Sequence, residues 1–304
     1  MVICIVGPTC VGKTLLSVEL AKKLNGEIIN ADSTQVYKGM DIATAKVTEK
    51  EKENIPHHLF DIKDIEEEYT IYNYQKDCRN KIKEIENKER VPILVGGTGL
   101  YIKAALYDYD LEEENQIREE YNEITTEELY SELKKIDATT SIHPHNRQRI
   151  IRALNYFNNT NKPLSQKKKA SKLLYDCIFI GLTTDRENLY DRINKRTDAM
   201  IKNGLLDEAK KIYDTKIRSK AVLTPIGYKE LFPYFNKEIS LEEATEKIKK
   251  SCRNYAKRQY TFFNHQLNVN WFNVNFDNFN DTINEVIQFI ETKKISKEKI
   301  EEEK

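Results

Sequence analysis

The chain lacks any long apolar run. Its most hydrophobic opening, Val2 to Val6, is too short for a signal peptide or a membrane span, so neither a secreted nor a membrane-spanning protein is expected. It also lacks net charge: 49 Lys and Arg balance 49 Asp and Glu, and the total favours no partner. Cysteine is sparse. Cys4, Cys10, Cys78, Cys177 and Cys252 form no CxxC pair and no even framework, which excludes a disulfide scaffold and leads us to expect reduced thiols in a cytoplasm. No internal repeat is visible. What is there is ordinary globular stock: 304 residues, 39% hydrophobic and 32% charged, enough for a core and a solvated surface.

The charges are sorted along the chain even though they cancel. Asp110 to Glu132 carries ten acids against the single base Arg118, whereas Ser141 to Lys172 has eight Lys or Arg and no acid. Lys247 to His265 adds six more bases, again without an acid. Such zones suit a polyanion, or acidic and basic helices that pair with each other.

Apolar runs predict strands at Val2–Val6, Glu27–Asn30, Val91–Val95, Asp176–Ile180 and Asn270–Val274. Helical spacing lies between them, as from Tyr72 to Glu89. This predicts an α/β protein, a parallel sheet with helices on both faces. The polar stretch 110–172 is too long for a crossover and is expected as a helical insertion domain. The remaining core is then 1–109 with 173–292, and the charged end, 293–304, is expected as a flexible tail or frayed helix.

The strongest chemical signal is Gly7-Pro-Thr9-Cys10-Val11-Gly12-Lys13-Thr14. It follows a buried strand, opens a helix and fits GxxxxGK[ST]. Backbone N–H groups of such a loop curl around a phosphate and the helix N-terminus adds partial positive charge. Lys13 then neutralises the outer phosphate, and the Thr14 hydroxyl is placed as a ligand for Mg²⁺. Motors and switches usually pair this loop with a strand ending in Asp. Here the third strand ends Val95-Gly-Gly-Thr98 and the fourth Gly181-Leu-Thr-Thr, so that signature is missing. The second strand does lead into an acid, Asp32, which read alone is a metal contact, a general base, or a helix cap with Ser33. His57-His58 and His143-Pro-His145 have no Cys or acid cluster beside them, and we expect structural hydrogen bonding there.

GPTCVGKT, ADSTQVYKGMDIATAK (31–46), PHHLFDI (56–62) and PILVGGTGLYIKA (92–104) occur in that order, followed by HPHNRQRIIRAL (143–154), DRENLYDRINKRTDAMIKNGLLDEA (185–209), IGYKEL (226–231) and NYAKRQYTFF (254–263). Together these resemble the bacterial tRNA dimethylallyltransferase family over nearly the whole chain. The resemblance implies a nucleotide-kinase-like core that transfers a dimethylallyl group from its diphosphate to N6 of the adenine just 3′ of the anticodon. Diphosphate leaves, held by the loop residues Gly7 and Thr9 to Thr14 and by Arg196. No water has to be positioned at a γ-phosphate, which accounts for the missing acidic strand end. Asp32 matches the family's catalytic base, and Thr98 a threonine near the reacting centre and the phosphates; Lys13 completes that centre.

For the tRNA anticodon stem-loop, the resemblance implies contacts from Asp32, Ser33, Thr34, Gln35, Arg118, Gln148, Arg149, Ile150, Ile151, Arg152, Gly227, Lys229, Lys257, Arg258 and Gln259. Two features of the residues themselves agree. Arg192 and Arg196 form an i,i+4 like-charge pair with no acid at i±3 or i±4, which calls for an anion or a distant salt bridge between them. Lys250, Arg253 and Lys257 form a basic stripe on one helix, beside an apolar face. The chain departs from the family pattern at Cys10, usually Ala, and at Phe262 and Asn264, usually Trp and Arg. An adenylate isopentenyltransferase, a small-molecule P-loop kinase and a non-catalytic RNA-binding protein are the competing readings. The family reading also leads us to expect a monomer.

Overall fold

The computed structural model describes residues 1–111, 121, 123–167 and 171–302. In chain order the elements are β1 (Val2–Val6), α1 (Lys13–Leu24), β2 (Gly26–Asn30), α2 (Glu49–Lys52), β3 (His57–His58), α3 (Ile71–Asn87), β4 (Val91–Val95), α4 (Gly99–Leu106), α5 (Thr126–Ile136) and α6 (Arg147–Thr160). They continue with β5 (Cys177–Thr183), α7 (Arg186–Met200), α8 (Leu206–Asp214), α9 (Lys220–Leu223), α10 (Tyr228–Phe235), α11 (Leu241–Gln266), β6 (Asn270–Asn273) and α12 (Phe279–Glu302). No described helix is long and apolar enough to cross a membrane.

The chain forms two compact units. One comprises 1–107 and 173–304, the other 108–172. The boundary falls at Asp108 for a local reason: its carboxylate accepts the amides of Ser171 (2.8 Å) and Lys172 (2.9 Å), and its own amide donates to Lys172 O at 2.9 Å.

The larger unit holds a six-stranded parallel sheet in the order β3-β2-β4-β1-β5-β6. β1 and β2 are buried along their whole length and lie covered on both faces, as the unbroken apolar run of β1 requires. β3 has no apolar pattern of its own; His57 and His58 pair with Ile28 and Ile29 and extend the sheet edge by two residues. The register sets Val95 opposite both Ile5 and Asn30, and Val6 opposite Gly181. The loops after β1, β2, β4 and β5 therefore emerge side by side at the carboxyl edge, where open α/β sheets hold their ligands.

The smaller unit packs α5 against α6 around a core containing Leu129, Leu133, Ile150 and Leu154. At the other end of the chain, residues 293–302, expected as a flexible tail or frayed helix, continue α12. The segment is rich in Lys and Glu, good helix formers, and extends a helix already anchored by buried Val286 and Ile290.

Candidate active site

The phosphate loop has the backbone its sequence demands. Gly7 adopts φ 136, and a Cβ there would sit 2.5 Å from Leu182 O of the neighbouring strand. α1 begins at Lys13 with no side-chain cap and no acid in its first turn. Its terminal N–H groups and the positive end of its dipole are therefore open to an anion. Val11 is wholly buried, so only its backbone can face a phosphate, whereas Thr14 is exposed.

α7 lays two arginines on this loop. Arg196 Nη1 donates to Thr9 Oγ1 at 2.8 Å and contacts Cys10 Sγ at 3.6 Å, while Arg192 Nε donates to Cys10 O at 3.0 Å. The Arg192 guanidinium also lies over the Phe276 ring, 3.7 Å from its centroid. Neither arginine has a carboxylate at ion-pair distance among the described residues. The like-charge pair expected to converge on an anion thus converges on the phosphate loop. Lys13 Nζ donates to Pro8 O at 2.6 Å. Its pKa is lowered to about 8, first by burial and then by Arg196; Asp32 and Cys10 pull it back up.

Asp32 follows β2 in a turn, and no helix starts there, so it caps none. Buried Asn30 places it, accepting the Asp32 amide at 2.8 Å and donating to Asp32 O and Leu59 O, both at 3.0 Å. One carboxylate oxygen accepts the Thr34 amide (2.9 Å) and hydroxyl (2.7 Å). The other has no hydrogen-bond partner among the described residues. Thr98, after β4, is stitched to the same turn: its hydroxyl accepts the Ser33 amide at 3.0 Å and donates to Ser33 Oγ at 3.2 Å. Gln35 directs its amide to Thr44 O and Ala45 O, holding the following loop.

Several residues assigned to RNA contact are buried. Gln259 is buried, with both ends of its amide bonded inside the protein. Gly227 is buried at φ 130, and its amide donates to Glu230 at 2.8 Å, making it the turn before α10. Ile150 and Ile151 are core residues of the smaller unit because the apolar face of α6 packs on α5. Gln148, Arg149 and Arg152 are exposed on the other face of α6, as are Lys229, Lys257 and Arg258 on their helices. Arg253 leaves the expected stripe: it is half-buried and donates to Asn194 at 2.6 Å. Arg118 lies outside the described residues.

Two groups escaped the sequence reading. Glu208, on α8, accepts the consecutive amides of Asp41, Ile42 and Ala43 at 2.8 to 3.0 Å, and the Tyr228 hydroxyl at 2.7 Å. It clamps the loop that continues from Asp32. Tyr255, on α11, donates to Gly97 O at 3.3 Å and lies within reach of Thr98. Burial first, and then the Asp32 carboxylate, push its phenol up, which keeps it neutral. Both residues lie inside quoted motifs, GLLDEA and NYAKRQ, but spacing along the chain does not reveal partners so far away.

The arrangement is an anion cradle with an unpartnered carboxylate oxygen and a threonine hydroxyl at its edge. A sequence profile described as IPP transferase matches residues 35–266. The tRNA dimethylallyltransferase of Anoxybacillus flavithermus is 45% identical over 300 residues, covering 96% of each chain. Among solved structures, the full-length tRNA isopentenylpyrophosphate transferase of Bacillus halodurans is 44% identical and covers 99% of each chain, with a TM-score of 0.76. A eukaryotic dimethylallyltransferase acting on tRNA is 32% identical, with a TM-score of 0.81 over 90% of this chain and 73% of its own. Cradle, carboxylate and threonine are thus carried by a chain that belongs to the IPP transferase family.

Proposed function

We propose that this chain transfers a dimethylallyl group from dimethylallyl diphosphate to N6 of the adenine just 3′ of the anticodon in tRNA, releasing diphosphate. The observation that carries the proposal is the open oxygen of Asp32 beside an anion cradle, in a chain whose relatives are named for this reaction. The C1–O bond of the donor breaks and the N6–C1 bond forms; the proton leaving N6 goes to Asp32. An exocyclic adenine amine is a weak nucleophile, and a positioned base is worth typically ~10²–10⁴-fold. Lys13, Arg196, Arg192 and the loop amides bind the diphosphate as its charge grows on departure.

The donor set suits a hard cation held mainly by diphosphate oxygens. Thr14 in the first turn of α1 would hold Mg²⁺, which when bound supplies further neutralisation of the leaving group. Among the described residues no cluster of three His, Cys, Asp or Glu offers a protein-only site. Exposed Gln148, Arg149, Arg152, Lys229, Lys257 and Arg258 are the proposed contacts to the anticodon stem-loop, which presents phosphates and unstacked bases. The five free cysteines support a reducing cytoplasm.

The test is direct. Purified protein with labelled dimethylallyl diphosphate, Mg²⁺ and an anticodon stem-loop should yield N6-modified adenosine. Labelled AMP with an untouched stem-loop would overturn the proposal.

A further inference from the structure

Gln259 is only 4% exposed, on the side of α11 that faces the two substrate-side loops. Its Oε1 accepts the Thr9 amide at 3.1 Å, and its Nε2 donates to Gly97 O at 3.1 Å. Thr9 belongs to the phosphate loop. Gly97 precedes Thr98, which is bonded to the Asp32 turn through Ser33. Gly97 is glycine for this contact: a Cβ there would stand 2.2 Å from Gln259 Nε2. Tyr255, one turn earlier on α11, donates to the same carbonyl at 3.3 Å. One end of the bridge must accept and the other must donate, which an amide satisfies and a carboxylate does not.

We infer that Gln259 is a positioning residue that ties the donor cradle to the loop of Thr98, and so fixes the distance between donor and acceptor. The inference rests on the prenyl transfer proposed above. That reaction needs its reacting atoms roughly 3–3.5 Å apart, and a displacement of about 1 Å costs on the order of 10²-fold. Gln259 acts through Thr9 and Thr98 and touches neither substrate. This role differs from the RNA contact implied by the family pattern, and the two predict opposite kinetics.

The experiment compares the parent with Gln259→Met, which keeps the volume and removes both hydrogen bonds, and with Gln259→Glu, which keeps the acceptor for Thr9 but not the donor for Gly97. In Gln259→Met, kcat should fall about 10²-fold, while the Kd for the anticodon stem-loop stays within about threefold. Hydrogen exchange of the peptide covering 7–12 should accelerate. Gln259→Glu should retain that protection and lose about tenfold in kcat, since only the Gly97 half of the tie is removed. This second variant also serves if the methionine protein does not fold. Unchanged kcat with stem-loop affinity weakened more than tenfold would overturn the tie in favour of RNA contact. Unchanged exchange at 7–12 in Gln259→Met would overturn it outright. If the parent itself transfers no prenyl group, the proposed function fails, and the exchange experiment still decides the tie.

Discussion

Two carboxylates flank one strand and have opposite lives. Glu27 lies in β2, is 1% exposed, and is bonded by His58 at 2.6 Å, Arg90 at 2.8 Å and Lys88 at 3.4 Å. Asp32 lies just past the other end of β2, and one of its oxygens is unpartnered among the described residues. Burial pushes the Glu27 carboxyl up, but its hydrogen bonds to His58, Arg90 and Lys88 outweigh that and hold it below the usual range. A carboxylate surrounded in this way has no capacity left for a substrate proton. The difference teaches that chemistry sits where the fold has left a polar atom incompletely answered, and stability where it has answered every one.

The comparison breaks most readily at Asp32. Asp32→Ala should lower single-turnover prenyl transfer by ~10²–10⁴-fold, with tRNA affinity far less affected; near-normal turnover would remove the base assignment. Next comes the cradle. Arg196→Ala should raise the donor KM about 10–100-fold, the equivalent of one charge-assisted hydrogen bond, and leave the tRNA KM nearly unchanged. Steady-state titration of each substrate in turn checks this, and the reverse order would misplace the arginine.

Lys13 makes the cradle pH-dependent. With a pKa of about 8 in the free protein, it is cationic below that value and neutral above it. A diphosphate prefers the cation, so donor binding should take up a proton near pH 8, and donor Kd should rise about tenfold per unit above it. Calorimetry in two buffers of different ionisation heat reads the proton directly; no uptake between pH 8 and 9 would refute the assignment. The same lowered pKa means that the free protein gains stability as pH rises from 8 toward the ordinary lysine value, because the unfolded chain binds the extra proton.

The smallest effect on turnover belongs to Glu27. Glu27→Gln should leave kcat intact at 25 °C and destabilise by roughly 3 kcal/mol, at the low end for breaking a buried pair because its cationic partners reach solvent. Calorimetry should show this as a melting temperature lower by about 5 °C. The depressed carboxyl contributes stability above its unfolded pKa that is lost as pH falls through its folded one. The variant should therefore unfold with a shallower acid dependence below about pH 4. A variant that melts like the parent but transfers poorly would erase the distinction between the two carboxylates.

Much of the fold was legible because its signals are local. The unbroken apolar runs of β1 and β4 announce strands covered on both faces, and the polar insertion is visible by its length alone. β3 was invisible because two histidines carry no periodicity and only the edge of β2 makes them a strand. At the site, the glycine-rich loop and the Arg192–Arg196 pair could be read directly. Gln259 was assigned to the RNA face through its motif, whereas its amide is bonded inside the protein. Ile150 and Ile151 were drawn into the RNA face by their motif, whereas their own hydrophobicity places them in a core.

The sequence by itself determined the phosphate loop, the parallel sheet and the family pattern, because each is written in neighbouring residues or in the order of short blocks. Tertiary structure alone decided which carboxylate is answered and which is open, why Glu208 holds residues 41–43, and what Gln259 joins. Those outcomes depend on hydrogen bonds between groups far apart along the chain, and only folding brings their partners within 3 Å or so.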